Sequence, residues 1–394
     1  MATDSTSTSK ATARPSSSTS DVLLGAIFAR GRVAAAVSDA AFVQAMLDVE
    51  VAHARATLPA PAAEAVAAVA VAERFDLEAL AQEAARHATP VIGLVAALRE
   101  QSGEDGVHRG LTSQDVVDTG LMLMAQRALS VLSDDAAAAA DATALLAETH
   151  RTTPILARTL MQPAQPTSFG LKAAGWLVAL DDAGAELTRV RDAVLAAQVG
   201  GAVGNRAALA DDADAGARVA AAIAAELGLV DPILPWHGDR RRAAQLAAAL
   251  GVLAGTAAKI AADVVLLAQG EVAEVRDGVA GGSSAMAHKA NPVAAISARA
   301  CAARVPGLVA TMLSVMDGEH ERAAGGWQAE WETLRELLRS TGAAVAWLRE
   351  LLERLEVDAP RMEANLVAVL GDAAAPRPDT GPLIDRALAA HRAR

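Results

Sequence analysis

The chain has no tyrosine and only one cysteine, and aromatic residues make up 2% of its 394 positions. Sites that stack nucleic-acid bases need aromatic faces, so this supply argues against one. A net charge of −12 argues the same way, and also against a surface built for anionic lipid. The lone Cys301 excludes a disulfide framework and any cysteine-rich metal site. Lysine is scarce: Lys10, Lys172, Lys259 and Lys289 stand against 31 arginines. The short apolar run Val22–Ala29 follows Asp21 rather than a basic stretch, so it does not read as a secretory signal. The longer apolar stretch Ala243–Gln269 is interrupted by Lys259 and Asp263 and reads as a buried helix rather than a membrane span. A cytoplasmic protein with no nucleic-acid and no membrane partner is expected.

What remains is apolar and helical. Hydrophobic residues make up 53% of the chain, and alanine runs such as Ala136–Ala140 favour helix. The Ser/Thr-rich residues 1–20 cannot bury enough apolar surface to order themselves and read as a disordered tail. Apolar spacing predicts helices over Ala40–Leu58, Leu77–His87, Val91–Gln101, Asp115–Leu132, Thr167–Ala197, Arg240–Ala280, Pro292–Met316 and Ala329–Leu355. No strand alternation runs beyond a few residues, so the fold class is all-α. Helices this apolar must bury themselves in a large bundle or against other subunits.

Three segments stand apart from this background. In Val107–Asp115, Gly110 breaks the chain and Thr112 or Ser113 suits the cap of the next helix, a place that favours an anion. In Thr159–Gly170, two prolines and two glutamines read as a stiff polar turn between helices, with Gln162, Thr167 and Ser168 as ligand-facing candidates. Gly281–Pro292 is a Gly-Ser loop followed by Lys289, with Asn291 suited to the cap and Pro292 to the first position of a helix. A mobile lid carrying a serine and a lysine fits that pattern.

Gly282-Ser283-Ser284-Ala285-Met286-Ala287-His288-Lys289-Ala290-Asn291-Pro292 resembles the signature loop of the fumarase/aspartase superfamily. His108-Arg109-Gly110-Leu111-Thr112-Ser113-Gln114-Asp115, continued by Asp118-Thr119, is similar to that superfamily's first block. Three further stretches resemble the 3-carboxy-cis,cis-muconate cycloisomerase family within it: Phe169–Trp176, Pro235–His237, and Glu319–Arg322 followed by Gly326–Trp331. The resemblance spans roughly residues 21–370. It implies a three-domain fold with a central long-helix bundle, divided near 21–115, 116–356 and 357–394. It also implies a homotetramer whose sites combine segments of three subunits, and a small di- or tricarboxylate substrate handled without cofactor or metal.

By the same resemblance, Ser283 carries the proton, and Lys289 and Asn291 hold the activated carboxylate. Thr112, Ser113 and Gln114 bind a second carboxylate, and His108, Arg322, Gln162, Ser168 and His237 are further substrate binders. Many amine-releasing members carry a histidine where this chain has Leu160. A carboxylate needs no such proton donor when it departs or attacks, so Leu160 favours lactone chemistry. Pro163, Ala287 and Ala290 depart from the family pattern. A fumarate-releasing lyase acting on nitrosuccinate, adenylosuccinate or argininosuccinate stays open as the alternative, as does a catalytically silent scaffold.

Overall fold

A computed structural model describes residues 22–209, 212–278, 280–281, 286, 289–371 and 378–394. The expected tail 1–20 lies outside the described residues, and so does Ser283.

Helical spacing of alanine, leucine and valine produces the long elements. They are α1 (Asp39–Thr57), α2 (Ser113–Thr149), the strands β1 (Pro154–Thr159) and β2 (Gln162–Ser168), α3 (Phe169–Ala193), α4 (Arg241–Leu267), α5 (Val293–Ser314) and α6 (Gly326–Glu353). Helices α2 to α6 pack side by side, α2 on α3 and α6, α4 on α3, α5 and α6, and α5 on α6. Leu129, Leu132, Leu177, Leu250, Leu253, Leu337 and Leu338 are fully buried between them. Alanines such as Ala128, Ala247 and Ala343, equally buried, let the helices approach closely. By length and hydropathy alone α4 and α5 are able to cross a membrane. Here they lie against neighbouring helices of the bundle.

Three sequence expectations change. The segment read as a polar turn is a β-hairpin, with Arg158 opposite Pro163 and Leu156 opposite Pro166. A two-stranded ribbon has free edges, where the missing N–H of proline breaks no ladder. Its turn is Leu160-Met161, with φ of 51° and 65°. Two left-handed residues in a two-residue turn ordinarily select Asn-Gly. The helix expected over Arg240–Ala280 stops at Leu267. The chain beyond it is held by Glu274, whose carboxylate takes both arms of the Arg158 guanidinium at 2.9 and 2.7 Å, and by pairing of Val275–Arg276 with Glu356–Val357. Helix α2 runs past the expected Leu132 to Thr149.

Chain direction sorts the molecule into two ends. Helix α2 has 37 residues, about 55 Å at 1.5 Å each. Its first two turns meet residues 198–201 and His237. Beyond its last turn comes the hairpin, which meets Glu274 and the helix α7 (Ala359–Leu370). A last helix, α8 (Gly381–Arg392), lies on α3, where His391 sits between Asp181 and Asp141.

One buried ion cluster ties three helices together at the first end. Arg240 donates to Asp118 at 2.8 and 3.0 Å and to Glu330 at 2.8 and 2.5 Å. Burial works against the charge of Arg240, but the two carboxylates outweigh it and raise its pKa. Burial pushes the Glu330 carboxyl up against the pull of Arg240. Removing one member strands the others, so Asp118→Ala is expected to cost about 3–5 kcal/mol. Equilibrium urea unfolding at fixed protein concentration measures this, and a loss under about 1 kcal/mol would contradict the account.

Candidate active site

The first turn of α2 is built around Asp115. Its buried carboxylate accepts from the backbone N–H of Thr112 at 3.0 Å, Gly200 at 2.9 Å and Gly201 at 2.8 Å, and from His237 Nε2 at 2.8 Å. Four donors meet the four lone-pair positions a carboxylate offers. Because a carboxylate accepts, His237 carries its proton at Nε2. A Cβ at Gly200 would lie 2.6 Å from the His237 ring, so only glycine admits the histidine there. Gly110, at φ 86°, leaves room for the Ala208 carbonyl oxygen, 2.4 Å from where a Cβ would stand.

Around this frame the first end gathers six of the expected residues. Thr112 and Ser113 open α2 and are half-buried. The Thr112 hydroxyl accepts from Arg322 Nη1 at 3.0 Å, while Arg322 Nη2 donates to the Ala202 carbonyl at 3.0 Å. Arg322 Nε is buried with no partner among the described residues. A guanidinium thus lies over a helix N-terminus, two features that both favour an anion. Gln114 is sealed inside instead, donating to Asp118 and to the His237 carbonyl, both at 3.1 Å. Its Oε1 is buried with no partner among the described residues. His108 has a left-handed φ of 64°, and its Nδ1 lies 2.6 Å from Glu50 Oε1.

The other expected residues that the structure describes lie at the second end. Gln162 is exposed at the hairpin turn. Ser168 is buried, accepts from the Leu171 N–H at 3.1 Å as a helix cap, and shares a 2.7 Å hydrogen bond with Thr380. Lys289 is exposed, and its backbone N–H donates to Met286. Asn291 pairs with Gly281. The expectation that Asn291 caps α5 is corrected: the helix begins at Val293, and Asp277 accepts from the Ala294 N–H at 2.8 Å. A carboxylate seventeen positions away in sequence reaches amides that the short Asn291 side chain leaves unmet. Near the hairpin, a cavity of about 650 Å³ between α3 and α4 is lined by Arg158, Lys172 and Lys259 among others. Burial lowers the Lys172 pKa there.

Several residues at the first end carry no motif and emerge only in three dimensions. Gln198 accepts from the Trp236 N–H at 2.8 Å and its backbone is paired with Thr119. Glu50 and His53, one helical turn apart on α1, are fully buried. The His53 Nε2 donates to the Arg109 carbonyl at 3.0 Å, pinning the loop that carries His108.

Comparison with known proteins aligns with this picture. The lyase family matches residues 16–307. The chain is 43% identical over 363 residues to a 3-carboxy-cis,cis-muconate cycloisomerase of Bradyrhizobium diazoefficiens, covering 89% of this chain and 80% of the relative. It is 44% identical over 367 residues to a nitrosuccinate lyase of Streptomyces davaonensis, covering 87% and 76%. The solved structure of 3-carboxy-cis,cis-muconate lactonizing enzyme from Pseudomonas putida is similar with a TM-score of 0.83 at 38% identity, over 89% of this chain and 81% of that one.

Burial lowers the His53 pKa below its ordinary 6.5, against the opposing pull of Glu50. Between the two values the unfolded chain holds a proton that the folded one does not, so acid favours unfolding. The stability contributed is complete above about pH 6.5 and is lost as pH falls toward the lowered value. His150, also lowered by burial, adds with the same sign. Urea midpoints taken from about pH 8 down to pH 5 should fall, and His53→Gln should flatten that fall. An unchanged slope in the variant would contradict a neutral buried His53.

Proposed function

This chain belongs to the lyase family, the fumarase/aspartase superfamily that its motifs resemble, and on that premise we propose that it lactonises 3-carboxy-cis,cis-muconate to 4-carboxymuconolactone. The observation that carries the reading against an amine-releasing lyase is the apolar Leu160, 97% exposed on the hairpin turn, at the position where the resemblance implies a histidine in amine-releasing members. The cycloisomerase names of relatives at 43% and 44% identity support it.

In the proposed reaction a substrate carboxylate oxygen adds to the conjugated diene and closes the ring. The electron pair displaced onto the carbon beside another carboxylate takes up a proton. Ser283 supplies that proton and recovers one from solvent. Lys289 and Asn291 hold the carboxylate that carries the enediolate charge, since such charge must be met by fixed donors. Thr112, Ser113 and Arg322 take a second carboxylate, with His108 and His237 beside them. Gln162 and Ser168 belong to the wall formed by the hairpin. On this reading the enzyme serves aromatic catabolism, and we take it to act in the cytoplasm.

We read the assembly as a homotetramer with sites shared among subunits, in three domains near 21–115, 116–356 and 357–394. Two facts support shared sites. The residues of the first segment and those of the hairpin are separated by the length of α2, about 55 Å. Leu160, Met161, Ile233 and Leu234 stand exposed, at 97%, 70%, 97% and 71%, as apolar surface awaiting a second copy.

One rival keeps specific support, the nitrosuccinate lyase at 44% identity. Nitrite, like a carboxylate, leaves as a weakly basic anion without a proton donor, so Leu160 does not separate the two reactions. Substrate does. Ring closure breaks the conjugation, so ultraviolet absorbance of the muconate should fall on adding enzyme, EDTA or not. Flat absorbance together with fumarate released from nitrosuccinate would replace this reading with the lyase one.

Ser283→Ala should lower kcat by on the order of 10² or more. Mixing that inactive protein with an inactive Thr112→Ala protein should restore part of the activity, because hybrid tetramers contain some intact sites. No recovery after subunit exchange verified by mass spectrometry would count against shared sites.

A further inference from the structure

Glu50 is a carboxylate at 0% exposure on a helix whose neighbouring positions Met46, Leu47 and Val49 are core. Its Oε1 lies 2.6 Å from His108 Nδ1, and its Oε2 has no partner among the described residues. A sealed carboxylate oxygen without a donor is a liability for stability. An aliphatic side chain would suit the site better if packing were the purpose.

The other polar neighbour does not neutralise this carboxylate. His53 Nε2 faces the Arg109 carbonyl, which only accepts, so the proton is at Nε2. Its Nδ1 is a buried lone pair without a partner among the described residues, and burial lowers its pKa so that it stays neutral. Among the described residues the Glu50 carboxylate is therefore met by the His108 ring, which donates to it from Nδ1. The loop bearing that ring is held on both sides of His108. Arg99 donates to the Val107 carbonyl at 2.7 Å, His53 holds Arg109, and His108 itself stands in the left-handed region. Such a backbone conformation persists only where its surroundings impose it.

We propose that Glu50 is a positioning residue: it keeps the His108 proton at Nδ1 and so leaves Nε2 as the nitrogen presented to substrate. The proposal rests on the reading of His108 as a substrate binder. Glu50 touches no substrate and acts through the ring. It accounts for a buried charge that packing alone would have removed.

The test uses Glu50→Gln and Glu50→Leu in the full-length protein. Gln keeps the shape but presents either an acceptor or a donor to Nδ1, so the tautomer is no longer imposed, and Leu removes the contact. Each is expected to lower kcat/KM on the muconate at least about tenfold, the scale seen when a residue that orients an active-site histidine is lost. The thermal midpoint is expected to hold in Glu50→Gln, which keeps two polar atoms, and to hold or rise in Glu50→Leu, where the unpartnered buried oxygen has gone. On a His108→Gln background, Glu50→Gln should subtract nothing further, because its route is already cut. In histidine-labelled ¹⁵N NMR, the resonances absent from His108→Gln protein should show one Nδ1–H tautomer in the parent and a mixture in Glu50→Leu. This last arm needs no turnover, so it stands even if the muconate is not the substrate. Parent-like kcat/KM in both variants would overturn the proposal. So would a Glu50→Gln loss that adds in full to that of His108→Gln with a parallel fall in midpoint, which would make Glu50 a structural residue only.

Discussion

Asp115 and Asp118 lie one turn apart at the start of α2, both sealed from solvent, and the candidate site depends on how they are satisfied. Several kcal/mol of desolvation per buried carboxylate must be offset by well-placed donors. Asp115 takes its donors from Thr112, Gly200, Gly201 and His237, and Asp118 takes them from Gln114, Arg240 and Trp327. These partners come from four separate stretches of the chain. Asp115 is satisfied only with the loop at 198–201 and the turn at His237 in place, and Asp118 only with the starts of α4 and α6. The same condition aims His237 and sets Arg322 over Thr112. Folding and site assembly at this end are one event.

The second end follows a different logic. There the hairpin is held by Arg158 on Glu274, and Ser168 is tied to Thr380. Its outermost residues, Leu160 and Met161, combine apolar exposure with left-handed backbone. Strain of about 1–3 kcal/mol per such residue is tolerated where surrounding structure imposes it. In the isolated chain nothing described lies over that turn, so the shared-site assembly proposed above is the natural place for the compensation. A rigid bundle about 55 Å long holds the two ends apart and makes each available to a different neighbour.

Much of this was legible in the sequence wherever the signal was local. The period of apolar residues marked α1, α3, α5 and α6 to within a few residues, because each buries one face against the bundle. The start of α2 was legible through Thr112, whose own helix supplies the cap partner Asp115. Long-range pairs left no such trace. Asp277 caps α5 from across a loop, and β1 pairs with a strand whose two prolines argue against sheet. Within the first block, Gln114 was read as a ligand-facing residue beside Thr112, yet a helix turns by about 100° per residue. That rotation carries Gln114 inward while Thr112 and Ser113 stay near the surface. Glu50 and His53 sit on α1 as ordinary polar positions, and only the approach of the 107–111 loop gives them meaning.

The chain's preference for arginine over lysine makes a final distinction. The cations that fork onto buried carboxylates are arginines: Arg240 forks between Asp118 and Glu330, and Arg158 grips Glu274 with both arms. A planar guanidinium matches a carboxylate bidentately and loses little further freedom on doing so. Lys289 is different. It is exposed, and its side chain has no partner among the described residues, only its backbone N–H being engaged with Met286. An ammonium on a flexible stem is a point charge that adapts to a ligand arriving and departing. In a chain with so few lysines, one without a side-chain partner among the described residues at the foot of α5, beside Asn291, fits the transient charge of the role proposed for it. That is the property a carboxylate gaining enediolate charge requires of its counter-ion.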